Sequence, residues 1–228
     1  MKEYTAFLLS YVRYGDHDAV IHCFTAEEGY RSFFLRGLYA AKNKKKALLY
    51  PLSEVSLVVN TKKNSALPAV SGIEARKRVV SGTEDIKVNS IVFFIAEVLD
   101  NVLRNEGQNG GIFNEIERFA TQLAARNYSA HFHLLFTIMP LLGIKPLLSC
   151  KRFLDPESGV FVDEIAHRDF GFQTSELWKE MLIETDYTRR LSAEEKQQLL
   201  QTLMIYYTLH LPEFRQPVSL DVLRELFQ

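Results

Sequence analysis

Cysteine is scarce: the 228-residue chain has two, Cys23 and Cys150, far apart in sequence. Two thiols cannot build a disulfide framework, and such usage fits a reducing compartment, with a single bridge left open. Long hydrophobic runs are missing as well. The longest, Leu134 to Ile144, is interrupted by Pro140 and falls short of the roughly 20 residues a spanning helix needs. The opening MKEYTAFLLSYVRYGD has its apolar stretch broken by Arg13 and lacks a small-residue cleavage site. No secretory signal and no membrane association are expected, and the chain reads as cytoplasmic. Net charge is also missing: 27 Lys/Arg against 28 Asp/Glu leave a formal −1, which argues against a simple polycationic coat and an acidic solvating tail. Catalytic signatures are absent, with no GxSxG elbow, Walker loop, GxGxxG or HExxH. The GQNGG segment lacks the lysine and the preceding strand that cradle phosphate. Glu97 with Asp100, and Asp163 with Glu164, are carboxylate pairs of the kind that solvated surfaces carry. No reaction is assigned, and neither cofactor nor metal is expected.

What is present is ordinary globular material, 47% hydrophobic and 24% charged, at a length that suits two compact units. Segments Thr5–Val12, Ala19–Thr25, Tyr30–Arg36, Glu54–Asn60 and Leu67–Arg76 are rich in Val, Ile, Phe, Tyr and Thr and are separated by turn chemistry. Five short strands in the first third predict a small closed or partly closed barrel, since closure removes exposed edges. From Gly82 the period becomes helical. Thr83, Glu84 and Asp85 open a first helix carrying Ile91, Phe94, Ile95, Val98, Leu99 and Val102. Further helices are expected at 112–126, at 129–142 with Gly143 closing it, from the Ser192–Glu195 capping box to about His210, and after Ser219. Residues 150–172 read as a turn-rich excursion. The expected domains are therefore 1–81 and 82–228. Divided near there, the charge separates: residues 1–80 hold 13 Lys/Arg against 7 Asp/Glu, a formal +6, and residues 81–228 hold 14 against 21, a formal −7.

The sharpest local feature is the basic run Lys42, Lys44, Lys45 and Lys46, which follows Arg36 and Tyr39. Arg31, Lys62, Lys63, Arg76, Lys77 and Arg78 add cations, interleaved with Tyr11, Tyr14, Tyr30 and Tyr39. A basic groove tracking phosphates, beside aromatic faces on which bases stack, is how small barrels hold single strands. The plainer account is a solvated lysine loop with half-buried tyrosines. The predicted barrel and its +6 charge favour the groove, with Lys42, Lys44, Lys45, Lys46 and Arg36 on phosphates and Tyr39 as a stacking residue.

The stretch YVRYGDHDAVIHCFTAEEG, then FLRG, a basic run leading to LLYPL, and EVSLVV resembles the RecO family of DNA repair proteins. The matching positions are Tyr14, Gly15, Asp16, Thr25, Gly29, Arg36, Gly37, Leu49 and Pro51, followed by LLGIKPLLSC and the closing SLDVLRELF. The resemblance spans nearly the whole chain in order. It implies an α+β protein with an N-terminal five-stranded oligonucleotide/oligosaccharide-binding (OB) barrel and an all-α helical domain. It also implies a non-enzymatic recombination mediator at the nucleoid that binds single- and double-stranded DNA and anneals complementary strands. Its implied partners are RecR, single-stranded-DNA-binding protein and RecF, and its task is loading the RecA recombinase.

One departure concerns the four-cysteine zinc module that many members carry after the third helix. Here Cys150 stands alone, and His167, Asp155 and Asp163 do not complete a zinc pattern. A small hairpin is expected in its place, with Phe153 and Phe161 packed across the turn Asp155–Gly159. His131 and His133, two apart on a helix, cannot chelate together, and one is expected to face the core and one the water. Lys145, Lys151 and Arg152 form a basic cluster in the acidic half. They fit either the acidic, apolar tail of single-stranded-DNA-binding protein or a helix dipole. A protein-interaction adaptor gripping its partner with the helical domain is the reading from another functional class.

Overall fold

The computed structural model describes residues 1–40, 45–60, 67–77, 85–184 and 186–226, apart from the side chains of residues 45, 47 and 77. Five strands, β1 (Lys2–Tyr14), β2 (Asp18–Thr25), β3 (Gly29–Leu35), β4 (Glu54–Asn60) and β5 (Ala69–Lys77), close into a barrel of order β1-β2-β3-β5-β4. β1 belongs to two neighbours. Its first half pairs with β4 and its second with β2, and a bulge at Leu8–Ser10 supplies the bend between them. A short parallel contact, Phe34 opposite Ala69 and Leu35 opposite Val70, completes the closure. Alternation fills the interior with Leu8, Ile21, Cys23, Phe33, Leu35, Val55, Leu57 and Val59, all at most 1% exposed. This is the small closed barrel that the strand spacing anticipates, and the α+β architecture with an OB-type barrel that the resemblance implies.

The first compact unit extends beyond the barrel, to Asn114, and the second is Glu115–Gln228. The change from strand to helix near residue 82 therefore lies inside the first unit. Helix α1 (Ile86–Val102) starts from Asp85, whose carboxylate accepts from the Lys87 and Val88 amides. Asp85 is thus the cap, in place of the expected Thr83, which lies outside the described residues. Ten of the 17 residues of α1 are buried, so it serves as an internal buttress. The Tyr50 hydroxyl donates to Asn89 at 2.6 Å near its start, and the Tyr30 hydroxyl donates to Asp100 at 2.8 Å near its end. The GQNGG loop packs under the β2–β3 turn: the Tyr30 amide donates to the Glu106 carbonyl at 3.0 Å, and Gln108 donates to the Ala26 carbonyl at 3.1 Å. Gly29, at φ +74°, leaves no room there, because a Cβ would sit 2.0 Å from the Gly107 oxygen.

The second unit holds α2 (Gly110–Ala124, begun in the first), α3 (Ala130–Ile138), α4 (Phe172–Ile183), α5 (Ala193–His210) and α6 (Leu220–Leu226), with Trp178 of α4 buried between α3 and α5. Its ring packs on Phe136, Phe170 and Tyr206, and its indole N–H donates to Thr202 at 2.9 Å. The capping box at Ser192 and Glu195 is present as the sequence predicts. α4 has no counterpart in the sequence reading. The excursion is a hairpin, β6 (Phe153–Asp155) with β7 (Val160–Val162), but its register differs from the expectation. Phe161 lies opposite Leu154 and Phe153 opposite Val162. The four-residue loop 156–159 joins the strands, and Leu154 and Phe161 are the two residues facing inward. The hairpin is held by the Ser175 hydroxyl, which accepts from the Leu154 amide at 2.9 Å, and by His210, whose Nε2–H donates to the Pro156 carbonyl at 2.8 Å.

The expected division of His131 and His133 between core and water is overturned: they are 0% and 1% exposed. α3 is apolar nearly all round, so both sides of it are interior. Burial, then the nearby Lys196 and His133, push His131 down to about 3, and burial also lowers His133.

Two predictions follow from packing and burial. Gly29→Ala is expected to cost about 2–4 kcal/mol in urea unfolding. Gly15→Ala, also at positive φ but with nothing within 4 Å of the new methyl, should cost about 1–2 kcal/mol. Equal costs would remove the Gly107 contact as the cause. His131 binds its proton more weakly in the folded chain than the ordinary 6.5, so its contribution is complete above about pH 6.5 and is lost as pH falls toward 3. His131→Asn should flatten stability against pH between 6.5 and 4.5 by up to about 1.4 kcal/mol per pH unit, and an unchanged slope would contradict this.

Candidate nucleic-acid interface

The barrel rim near the β1–β2 turn gathers cations around one ring. Arg13 closes β1 opposite Ala19. Its Nε–H donates to the Gly15 carbonyl at 3.2 Å and its Nη2 to the Asp16 carbonyl at 3.0 Å, which fixes the guanidinium over the turn. From there it lies 5.1 Å from the centroid of the Tyr39 ring. The Tyr39 amide donates to the His17 carbonyl at 2.9 Å, so the segment after β3 is tied to the same turn. Lys46, exposed on the 3-10 turn Lys45–Leu48, places its Nζ 5.8 Å from the same centroid. Arg36 is exposed beside Gly37, whose amide donates to Asp18 at 2.7 Å. The rim thus brings together Arg36, Tyr39 and Lys46 and adds Arg13, which the sequence reading used only as a break in an apolar run. Its signal was present: a charged residue in phase with buried Ala19, one turn from a glycine tip.

Tyr39 carries two cations, each within cation–π reach. The aromatic surface open to solvent is next to it. Tyr14 is 61% exposed and meets Phe34 edge-on at 5.5 Å, with Tyr11 and Val12 exposed on the same strand. Tyr30, by contrast, is committed to α1, where burial and its bond to Asp100 raise its hydroxyl above the ordinary tyrosine range.

Arg31 lies near the opposite end of β3 from Arg36, roughly 16 Å away at strand rise, and pairs with Glu28 at 2.7 Å. Arg76 is held by Glu54 at 3.6 Å and donates to the Thr5 hydroxyl at 2.6 Å. Lys42, Lys44, Lys62, Lys63 and Arg78 lie outside the described residues, as do the side chains of Lys45 and Lys77.

A model described as Recombination protein O N terminal matches residues 1–78. The DNA repair protein RecO of Flavobacterium psychrophilum is 28% identical over 231 residues, covering 97% of each chain. That of Christiangramia forsetii is 29% identical with 97% of each covered, and that of Phocaeicola vulgatus is 28% identical over 100% of this chain and 99% of its own. The chain is similar to these RecO proteins along its whole length. The matched N-terminal segment is the barrel, and the alignment runs on through the helices.

The RecO-type zinc module is tested by its donor set. Cys150 is exposed, while Cys23 is buried in the barrel, where burial raises its thiol. Asp155 accepts from the Glu157 amide and the Ser158 hydroxyl within its turn, and Asp163 pairs with Lys151 at 3.3 Å. Among the described residues no group of three or more His, Cys, Asp and Glu is placed to hold a metal ion, so this donor set does not fit tetrahedral zinc. No helix among the described residues is long and apolar enough to cross a membrane.

The second predicted cluster, Lys145, Lys151 and Arg152, is exposed and lies among exposed Leu141, Leu147 and Leu148. Past Ile138 the backbone keeps helical bonds, from the Leu142 amide to the Ile138 carbonyl at 3.0 Å and from the Ile144 amide to the Met139 carbonyl at 3.0 Å, and Gly143 at φ +72° closes the turn, so Lys145 directly follows a helix end. The cluster fits both an apolar surface edged by cations and cations at a helix terminus.

Removing the Tyr30 hydroxyl tests its exclusion from the interface. Tyr30→Phe should cost about 1–2 kcal/mol, because Asp100 loses a donor, and leave oligonucleotide affinity within twofold. A large affinity loss without loss of stability would return Tyr30 to the site.

Proposed function

We propose that the chain is a DNA repair and recombination protein of the mediator type, acting without chemistry of its own. The observation that carries this reading is the cationic rim on an OB-type barrel in a chain similar to RecO proteins along its length. Arg13, Arg36 and Lys46, with Lys42, Lys44 and Lys45 of the adjoining loop, contact phosphates; Tyr39 holds two of these cations in position. Lys62 and Lys63 of the β4–β5 connection extend the contact, since that loop and the β1–β2 loop flank the binding face of such barrels. Arg31, paired with Glu28, contributes least. Neutralising phosphate charge lets two strands approach and pair, which supports annealing of single strands and binding of duplex.

The finer steps extend this reading. With RecR, and with RecF as a further partner, the chain helps load RecA onto DNA covered by single-stranded-DNA-binding protein. The acidic, apolar tail of that protein suits the surface of Leu141, Leu147 and Leu148 edged by Lys145, Lys151 and Arg152. The adaptor alternative draws on the same surface and differs in predicting no annealing by the chain alone.

Purified chain is expected to anneal complementary oligonucleotides, including strands pre-coated with single-stranded-DNA-binding protein when RecR is added. The six contacts of Arg13, Arg36, Lys42, Lys44, Lys45 and Lys46 on a single strand give a slope of log K against log salt of about −4.2, from about −0.7 each. Replacing Lys42, Lys44, Lys45 and Lys46 by alanine should reduce that slope by about 2.8, and Arg13→Ala by about 0.7. Fluorescence anisotropy across a salt series checks both. A flat dependence in the unmodified chain would sink the interface.

A further inference from the structure

We propose that the helical unit carries a second nucleic-acid site: a cleft of about 530 Å³ that takes the phosphodiester backbone of another strand. It lies between the end of α2, the α2–α3 connection, the segment 187–191 and Lys196 of α5. The inference rests on the reading that the chain handles DNA, but on residues distant in sequence from the barrel rim.

Charge is the first observation. The second unit holds 12 Lys/Arg and 16 Asp/Glu, yet Arg126, Arg189, Arg190 and Lys196 line the cleft and no acidic residue does among the described ones. Arg189 is drawn into pairs with Glu180 and Glu195, which leaves Arg126, Arg190 and Lys196 as the cations this concavity gathers against the trend of the rest. Two of the three are guanidinium groups, whose planar forks match phosphate oxygens.

Backbone conformation is the second. Three non-glycine residues have positive φ among the described ones, and two of them, Arg126 at +63° and Tyr187 at +62°, line this cleft. Arg126 closes α2: its amide donates to the Leu123 carbonyl at 2.9 Å, and the Asn127 amide donates to the Gln122 carbonyl at 3.0 Å. That is the Schellman arrangement, and its left-handed position is one that glycine fills at no steric cost. Tyr187 is explained by packing, since it is 3% exposed and its ring meets His133 and the Arg118 guanidinium. Arg126 is not: its side chain is exposed, with Nη1 donating to the Tyr128 hydroxyl at 3.2 Å. Strain kept at a position where glycine is cheaper, for the sake of an exposed cation, points to binding.

The walls are also fixed. The Asn127 amide group donates to the Tyr187 carbonyl at 3.0 Å and joins the two loops. Arg189 donates to Glu195 at 2.8 Å and to Glu180, while its buried Nε–H has no acceptor among the described residues. The lining is mostly polar, with Gln122, Asn127 and Ser129 between the cations. This favours a phosphate backbone over an apolar peptide tail, which the leucine surface after α3 suits better. One strand on the barrel and one in the cleft would let a single chain hold two strands.

The test uses the full chain in a bridging assay, with an immobilised oligonucleotide capturing a second, non-complementary labelled one. Arg126→Gly should unfold at an equal or higher urea concentration, yet reduce bridging at least fivefold and change binding of a single oligonucleotide less than twofold. Arg190→Ala with Lys196→Ala should reduce bridging about tenfold, which keeps the test independent of the helix terminus. If the unmodified chain binds the first oligonucleotide but bridging is absent, or is unchanged in both variants, this inference fails while the barrel interface stands. No binding of any oligonucleotide would overturn both. A short Asp-rich peptide that binds in an Arg126-dependent way, with bridging unaffected, would overturn it in favour of a protein ligand.

Discussion

Closure of the barrel is the constraint on which the rest of the first unit depends. β1 must supply hydrogen bonds to β4 along its first half and to β2 along its second, and a straight strand cannot do both in a small barrel. The bulge at Leu8–Ser10 resolves this by adding bend and twist. Its consequence reaches the candidate interface. Once β1 is bent, its last residues rise past the barrel wall as a hairpin, and the chain leaving β3 is drawn under that hairpin by the Tyr39–His17 backbone bond. Arg13 and Tyr39, 26 positions apart, then face each other without any further device.

Legibility in the sequence followed the range of the interaction. Strands and helices announced themselves because alternation and capping are local, and Ser192 with Glu195 needs only four consecutive residues to be recognised. The register of the 150–172 hairpin was not local in that sense, because it is set by which face meets Ser175 and His210 from other helices. α4 was missed for a related reason. Its N-cap is Gly171, which makes no side-chain bond, and its apolar residues carry little periodic signal because Trp178 is surrounded on several sides. The two histidines of α3 show the same limit. Spacing says that they point in different directions, but only the packed unit says that both directions are interior.

At the candidate interface, composition located the region and geometry selected the members. The lysine run points to the rim where Arg13, Arg36 and Lys46 gather, yet Arg31 and Arg76 are diverted into pairs with Glu28 and Glu54. Exposed pairs of this kind add little to stability, but they lower the charge that a phosphate meets. Tyr30 is diverted in the other direction, into the core contact with α1. A count of cations and aromatics therefore overstates the site, and the count over the whole chain, which nearly cancels, understates it.

The arrangement around Tyr39 bears on how such a rim binds. A free arginine or lysine loses rotamer freedom on meeting a phosphate, and that loss opposes binding at about 0.5–1.5 kcal/mol for each long side chain. Arg13 has already given up much of it, because two carbonyls of the hairpin and one aromatic face hold its guanidinium. Its remaining N–H groups keep their charge and direction, so the attraction to phosphate is retained while part of the entropic cost falls on folding. Among the described residues Lys46 is held by the ring alone and keeps more freedom. The rim thus combines one fixed cation, Arg13, with a freer one. In the proposed interface the fixed group sets the position of a phosphate and the freer one adapts to it, which suits binding without sequence preference.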